Sequence, residues 1–186
     1  MAFMYEGLHH KDTMGFLQTA LAGGTQWTLV QVRNTGVVVP GIADNDIFSY
    51  NMQFNHDKKL GSVLDDFHIH YMFESANTGT CTFTWAWGWF KFDADPTKCD
   101  VIPDTLPNTG VTTWTIDGAQ QYKHMLKQII TGLTFDSPNG DETYSSMFFI
   151  KITRSASTGS IGTMRLLSAD CHYITDREGS KNVASD

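Results

Sequence analysis

Apolar residues recur at every second position over much of this chain, the period of a half-buried β-strand rather than of a helix. Residues 47–54 place Phe48, Tyr50, Met52 and Phe54 on one face. Residues 66–73 set Phe67, Ile69 and Tyr71 against Asp66, His68 and His70, and residues 81–92 set Phe83, Trp85, Trp87 and Trp89 against Thr82, Thr84, Ala86, Gly88 and Phe90. Further strands are predicted over 27–32, 37–39, 147–154 and 164–175. Turns are predicted at Asn34-Thr35-Gly36, Asn77-Thr78-Gly79 and Pro138-Asn139-Gly140-Asp141.

Two stretches break the pattern. Residues 93–113 carry Pro96, Pro103, Pro107 and Gly110 and read as loop. In 120–130, Tyr122, Met125, Leu126, Ile129 and Ile130 also fit a helical face, but the all-β surroundings favour a strand with a bulge. At least seven short strands with almost no helix predict an all-β fold, an antiparallel β-sandwich of jelly-roll type in a single domain. Within it, residues 1–45 form an N-terminal arm and the first strands, 46–176 the sandwich core, and 177–186 a polar tail.

Composition narrows the function. A chain of 186 residues with 12 Phe, 6 Tyr and 5 Trp can bury a sizeable core. The net charge of -7 argues against nucleic acid and against an anionic membrane surface as partners. Cys81, Cys99 and Cys171 are odd in number and lack CxxC spacing, which fits idle thiols in a reducing cytosol. No apolar run nears the roughly 20 residues of a membrane span, and the first residues lack the pattern of a signal peptide.

The chemistry worth weighing sits in two places. Asp66, His68 and His70 share one strand face, and His172 follows Asp170 and Cys171 near the other end. Histidines at i and i+2 beside a carboxylate are a metal-ligand pattern; they are equally the polar side of a half-buried strand. Gly61, His68-Ile69-His70, Glu74 and Gly79 resemble the first cupin motif, in which two histidines and a glutamate bind a metal inside a jelly roll. The glycine spacing departs from that motif, and the second cupin motif is absent around His172. The candidate metal ligands are therefore His68, His70, Glu74 and His172. No cofactor is expected otherwise, and no catalytic residue is identified. Phosphate loops and nucleophile elbows are missing, and Asp65 and Asp66 point to opposite faces.

The second place is the aromatic ladder Phe83, Trp85, Trp87 and Trp89. Its size demands cover, from a sandwich core or a subunit interface. The alternative is an exposed carbohydrate-stacking face.

Several segments in order resemble a family of small tailed-bacteriophage proteins: GSVLDDFHIHY, TFTWAWGWF, KHMLKQIITG, YSSMFFIKITR and DCHYITDREGS. Members carry a Pro-His-Val-His-Trp strand and end in a similar Asp-x-His-Tyr and Gly-Ser segment. The similarity spans residues 48 to 182. Phe67 stands where the family usually has proline, and Tyr71 where it often has tryptophan. The resemblance implies a non-enzymatic β-sandwich component of the virion, at the neck, collar, tail or head surface, made in the bacterial host cytoplasm. Its expected partners are further copies of itself, with a trimer preferred, and other virion proteins. The alternatives are a cupin-like metal protein and a receptor- or carbohydrate-binding module that meets host surface glycans.

Overall fold

The computed structural model describes residues 9–14, 16–19, 25–54, 63–134 and 145–175. Twelve strands make up most of them. In the first part of the chain these are β1 (His9–Met14), β2 (Phe16–Thr19), β3 (Thr25–Gln26), β4 (Thr28–Gln31), β5 (Val38–Ile42) and β6 (Asp46–Phe54). They continue as β7 (Val63–Phe73), β8 (Gly79–Phe92), β9 (Asn108–Ile116), β10 (Met125–Thr134), β11 (Ser145–Ser157) and β12 (Met164–Thr175). Sheet A runs β10-β7-β12-β5-β4, with β1 beside the second half of β12; sheet B runs β2-β6-β11-β8-β9, with β3 beside β6. All pairings are antiparallel except the short β3–β6 contact.

The two sheets pack face to face, as the alternation predicts. Phe67, Ile69, Tyr71 and Phe73 of β7 meet Phe48, Tyr50, Phe83, Phe148 and Ile150 of sheet B in one core. Ring pairs span the two layers: Tyr50 and Phe67 lie 5.9 Å apart, and Phe67 and Phe148 6.2 Å apart. Trp114 Nε1 donates to the Tyr71 hydroxyl at 3.1 Å, so a buried phenol is satisfied from the opposite sheet. The result is an all-β sandwich.

Three local readings needed revision. Residues 108–113, expected as the end of a loop, belong to the edge strand β9. Its inward positions Thr112, Trp114 and Ile116 alternate with outward Val111, Thr113 and Thr115, a pattern that the flanking Pro107 and Gly110 obscure. Strand β10 begins at Met125 rather than at 120. A short 3₁₀ turn capped by Asp117 and a left-handed Tyr122 (φ 60°) redirect the chain first. The anticipated bulge is present, between Gln128 and Ile130. Strand β11 continues past Arg154 to Ser157 through a register shift. Strands β1 to β5, in the segment expected to hold an arm and first strands, all pair into the two sheets. The 138–141 turn, Gly61 and the 177–186 tail lie outside the described residues.

One buried charge ties the sheets together at their margin. Arg154 of β11 is 1% exposed, and its Nη1 donates to the carbonyls of Ile42 and Gly162, both at 2.7 Å. Its Nε lies 2.9 Å from Asp44 Oδ1, and its guanidinium sits over the Phe73 ring. All three cysteines are free thiols.

Candidate functional site: a histidine and aspartate cluster on the outer face of sheet A

Because Phe67, Ile69 and Tyr71 fill the core, Asp66, His68 and His70 project from the opposite, outer face of sheet A. Strand β12 runs antiparallel beside β7 in a register that sets Asp170 opposite His68 and His172 opposite Asp66. Ala169 and Cys171 are buried, so Asp170 and His172 share the outer face with the β7 histidines. On the other flank, β10 brings Gln128 opposite His68 and Leu126 opposite His70, and His124 lies just ahead of that strand.

These side chains form a continuous chain of contacts. Asp66 Oδ2 lies 3.8 Å from His68 Nε2, and the His68 and His172 rings are 4.9 Å apart. His172 Nε2 lies 3.8 Å from Asp170 Oδ2, and Asp170 Oδ1 lies 3.4 Å from His70 Nε2. His70 Nδ1 and His124 Nε2 are 2.7 Å apart, a hydrogen bond in which one ring must donate and the other accept. The carboxylate contacts are longer or less aligned than hydrogen bonds and act as charge proximity. Asp170 Oδ1, despite its nearness to His70, has no hydrogen-bond partner and is buried.

Burial governs the electrostatics of the centre. His68 is 7% exposed, and its pKa falls below the ordinary histidine value. Desolvation is the main cause, and the neighbouring His172 adds to it; Asp170 and Asp66 pull the other way without prevailing. His68 is therefore a neutral imidazole at pH 7, and its Nδ1 is buried without a hydrogen-bond partner.

Of the four residues singled out as metal ligands, His68, His70 and His172 come together on this face. Glu74 does not join them. It lies just past the end of β7, where its carboxylate accepts from Arg165 Nη2 at 2.8 Å and from the Arg33 backbone N–H at 3.1 Å. There it borders a separate cleft of about 490 Å³ that Tyr122 and Arg165 also line. Asp170 and His124, neither of them among the four expected ligands, complete the cluster. Asp170-x-His172 repeats the i, i+2 spacing of His68-x-His70 and so carried a signal, whereas His124 is 54 positions from its partner His70 and carried none.

A cupin-type centre needs its ligands inside the barrel, and here the interior positions of β7 are aromatic and aliphatic. The ladder Phe83, Trp85, Trp87 and Trp89 faces that interior. Phe83 is fully buried, and the three tryptophans are half-buried against the core, Trp87 and Trp89 each 5.7 Å from Phe148. Trp85 lies over Gly110 of β9, where any Cβ would fall 2.3 Å from its ring, and its Nε1 donates to Thr112 Oγ1.

No protein-family model matches this chain, and no curated protein is significantly similar to it in sequence.

Proposed function

We propose that this chain is a non-enzymatic structural protein of a tailed-bacteriophage particle, a self-associating component of its neck, collar, tail or head surface. The resemblance of its histidine strands to that family carries the reading, and the strand order supports it. From β5 to β12 every successive strand except β9 crosses to the opposite sheet, giving β5-β12-β7-β10 against β6-β11-β8-β9. That order matches the two four-stranded sheets of a jelly roll, an architecture shared by viral capsid, lectin and cupin domains. Architecture alone does not choose among them.

The sequence resemblance favours the virion. Its two histidine segments fall on β7 and β12, adjacent strands whose outward residues build one cluster. The outward histidines also disfavour the cupin alternative, and the inward tryptophans disfavour a glycan-stacking platform. Surfaces suited to self-association are present. Leu29, Val37 and Val38 are exposed on the β4–β5 hairpin at the edge of sheet A, and Val101 and Ile102 on the loop after β8. Exposed apolar side chains grouped at a sheet edge are typical of protein contacts.

Light scattering on the purified chain tests the reading. A closed homo-oligomer, preferably a trimer, is expected, and Leu29→Glu combined with Val38→Glu should shift it toward monomer. A strict monomer at micromolar concentrations, unaffected by those changes, would contradict self-association.

A further inference from the structure

We propose that His68, Asp170 and His172 hold a divalent transition metal of the zinc class on the outer face of sheet A. The inference goes beyond the structural reading above and stands without it. One ligand atom from each of the three residues lies within 4.8 Å of the other two. Tetrahedral zinc with bonds of ~2.0–2.1 Å separates its ligand atoms by ~3.4 Å. The antiparallel register of β7 and β12 already sets these three side chains side by side on one face.

The donor set fits the ion. Two imidazoles and one carboxylate suit zinc and its neighbours better than calcium or magnesium, which prefer oxygen ligands throughout. Two of the three side chains also carry an unsatisfied atom: His68 Nδ1 and Asp170 Oδ1 are both buried without a hydrogen-bond partner, a costly state that a cation bound among them would ease.

Supporting groups stand behind the ligands. Asp66 Oδ2 lies 3.8 Å from His68 Nε2, and His70 Nε2 lies 3.4 Å from Asp170 Oδ1, so a carboxylate and an imidazole stand next to two of the ligands. His124 hydrogen-bonds His70 at 2.7 Å and so holds that ring in place beside the site. With three protein ligands the fourth position is open to water. The ion would staple β7 to β12, the two strands that carry the histidine motifs.

The experiment loads the purified full chain with Co²⁺ as a spectroscopic probe and with Zn²⁺ as competitor, followed by removal of free metal and elemental analysis. About one equivalent per chain is expected, with visible d–d bands of low-coordinate Co²⁺ that Zn²⁺ abolishes. Asp170→Asn, a near-isosteric change, and His172→Ala should each lose that equivalent while keeping the native circular dichroism. Glu74→Gln should retain it, as should the double variant His9→Ala/His10→Ala, which controls for binding by the N-terminal histidine pair. Failure of the natural chain to retain either metal would overturn the proposal. So would retention in Asp170→Asn, or loss only in the His9/His10 variant, since either result puts the ion elsewhere.

Discussion

Replacing Arg154 should be among the most damaging single changes to this fold, and its cost can be worked from its partners. The guanidinium donates twice, to the Ile42 and Gly162 carbonyls, and is 1% exposed. Hydrogen bonds from a charged donor contribute about 1.5–3 kcal/mol each. The ion pair with Asp44 adds little, because that carboxylate is 41% exposed and screened by water. Removing the charge also relieves its desolvation, which offsets part of the loss. The balance for Arg154→Ala is a destabilisation of about 3–5 kcal/mol.

Arg154→Met sharpens the test. Buried ion pairs can often be replaced by apolar side chains at no cost, because both partners go together. Here the acceptors are backbone carbonyls that no side-chain change removes, so Met should still cost about 2 kcal/mol or more. Lysine keeps the charge but loses the planar fork, and should fall between native and Met. Urea unfolding followed by tryptophan fluorescence reads all three. With a slope of about 1–3 kcal/mol/M, the Ala midpoint should drop by at least about 1 M. An Arg154→Met protein as stable as the natural chain would mean that the Ile42 and Gly162 carbonyls do not depend on the guanidinium.

Three further outcomes follow from the same geometry. Gly159 adopts φ +69°, and a Cβ there would meet the Thr78 carbonyl oxygen at 1.9 Å, so Gly159→Ala should cost at least about 2 kcal/mol in thermal or urea unfolding. Tyr71→Phe should cost about 1–2 kcal/mol by stranding the Trp114 indole N–H, and the tryptophan emission should shift. His68 has a folded pKa below its unfolded value of about 6.5, so the unfolded state binds the extra proton first. Its contribution to stability is complete above that value and is lost as pH falls through the folded pKa. Melting temperatures measured from pH 7 down to 5 should therefore fall less steeply in His68→Asn than in the natural chain.

What was legible in the sequence was what a period of two encodes. The faces of β7, β8 and β12 could be read directly, since Phe67, Ile69 and Tyr71 can only oppose His68 and His70. That placed three of the cluster's histidines on strand faces, but alternation does not say which strands are neighbours. The pairing of β12 with β7, which brings Asp170 opposite His68, is a long-range choice of topology. Glu74 looked like the next member of its series because the spacing is even. The strand ends at Phe73, so the spacing rule lapses there and Arg165 takes the carboxylate. Arg154 closed the predicted strand 147–154 as an ordinary basic residue, and its partner Ile42 lies 112 positions away. Strand β9 was hidden for a different reason: its proline and glycine neighbours are loop signals, and at a sheet edge its threonines need no apolar run.

The most direct test of the proposed virion role is quantitative mass spectrometry of purified particles produced by the genome that encodes this chain, with antibody labelling to locate it. The chain should be found in a fixed copy number per particle, a multiple of its oligomer size, at one discrete surface position. Its abundance in infected cells and absence from purified particles would contradict that role.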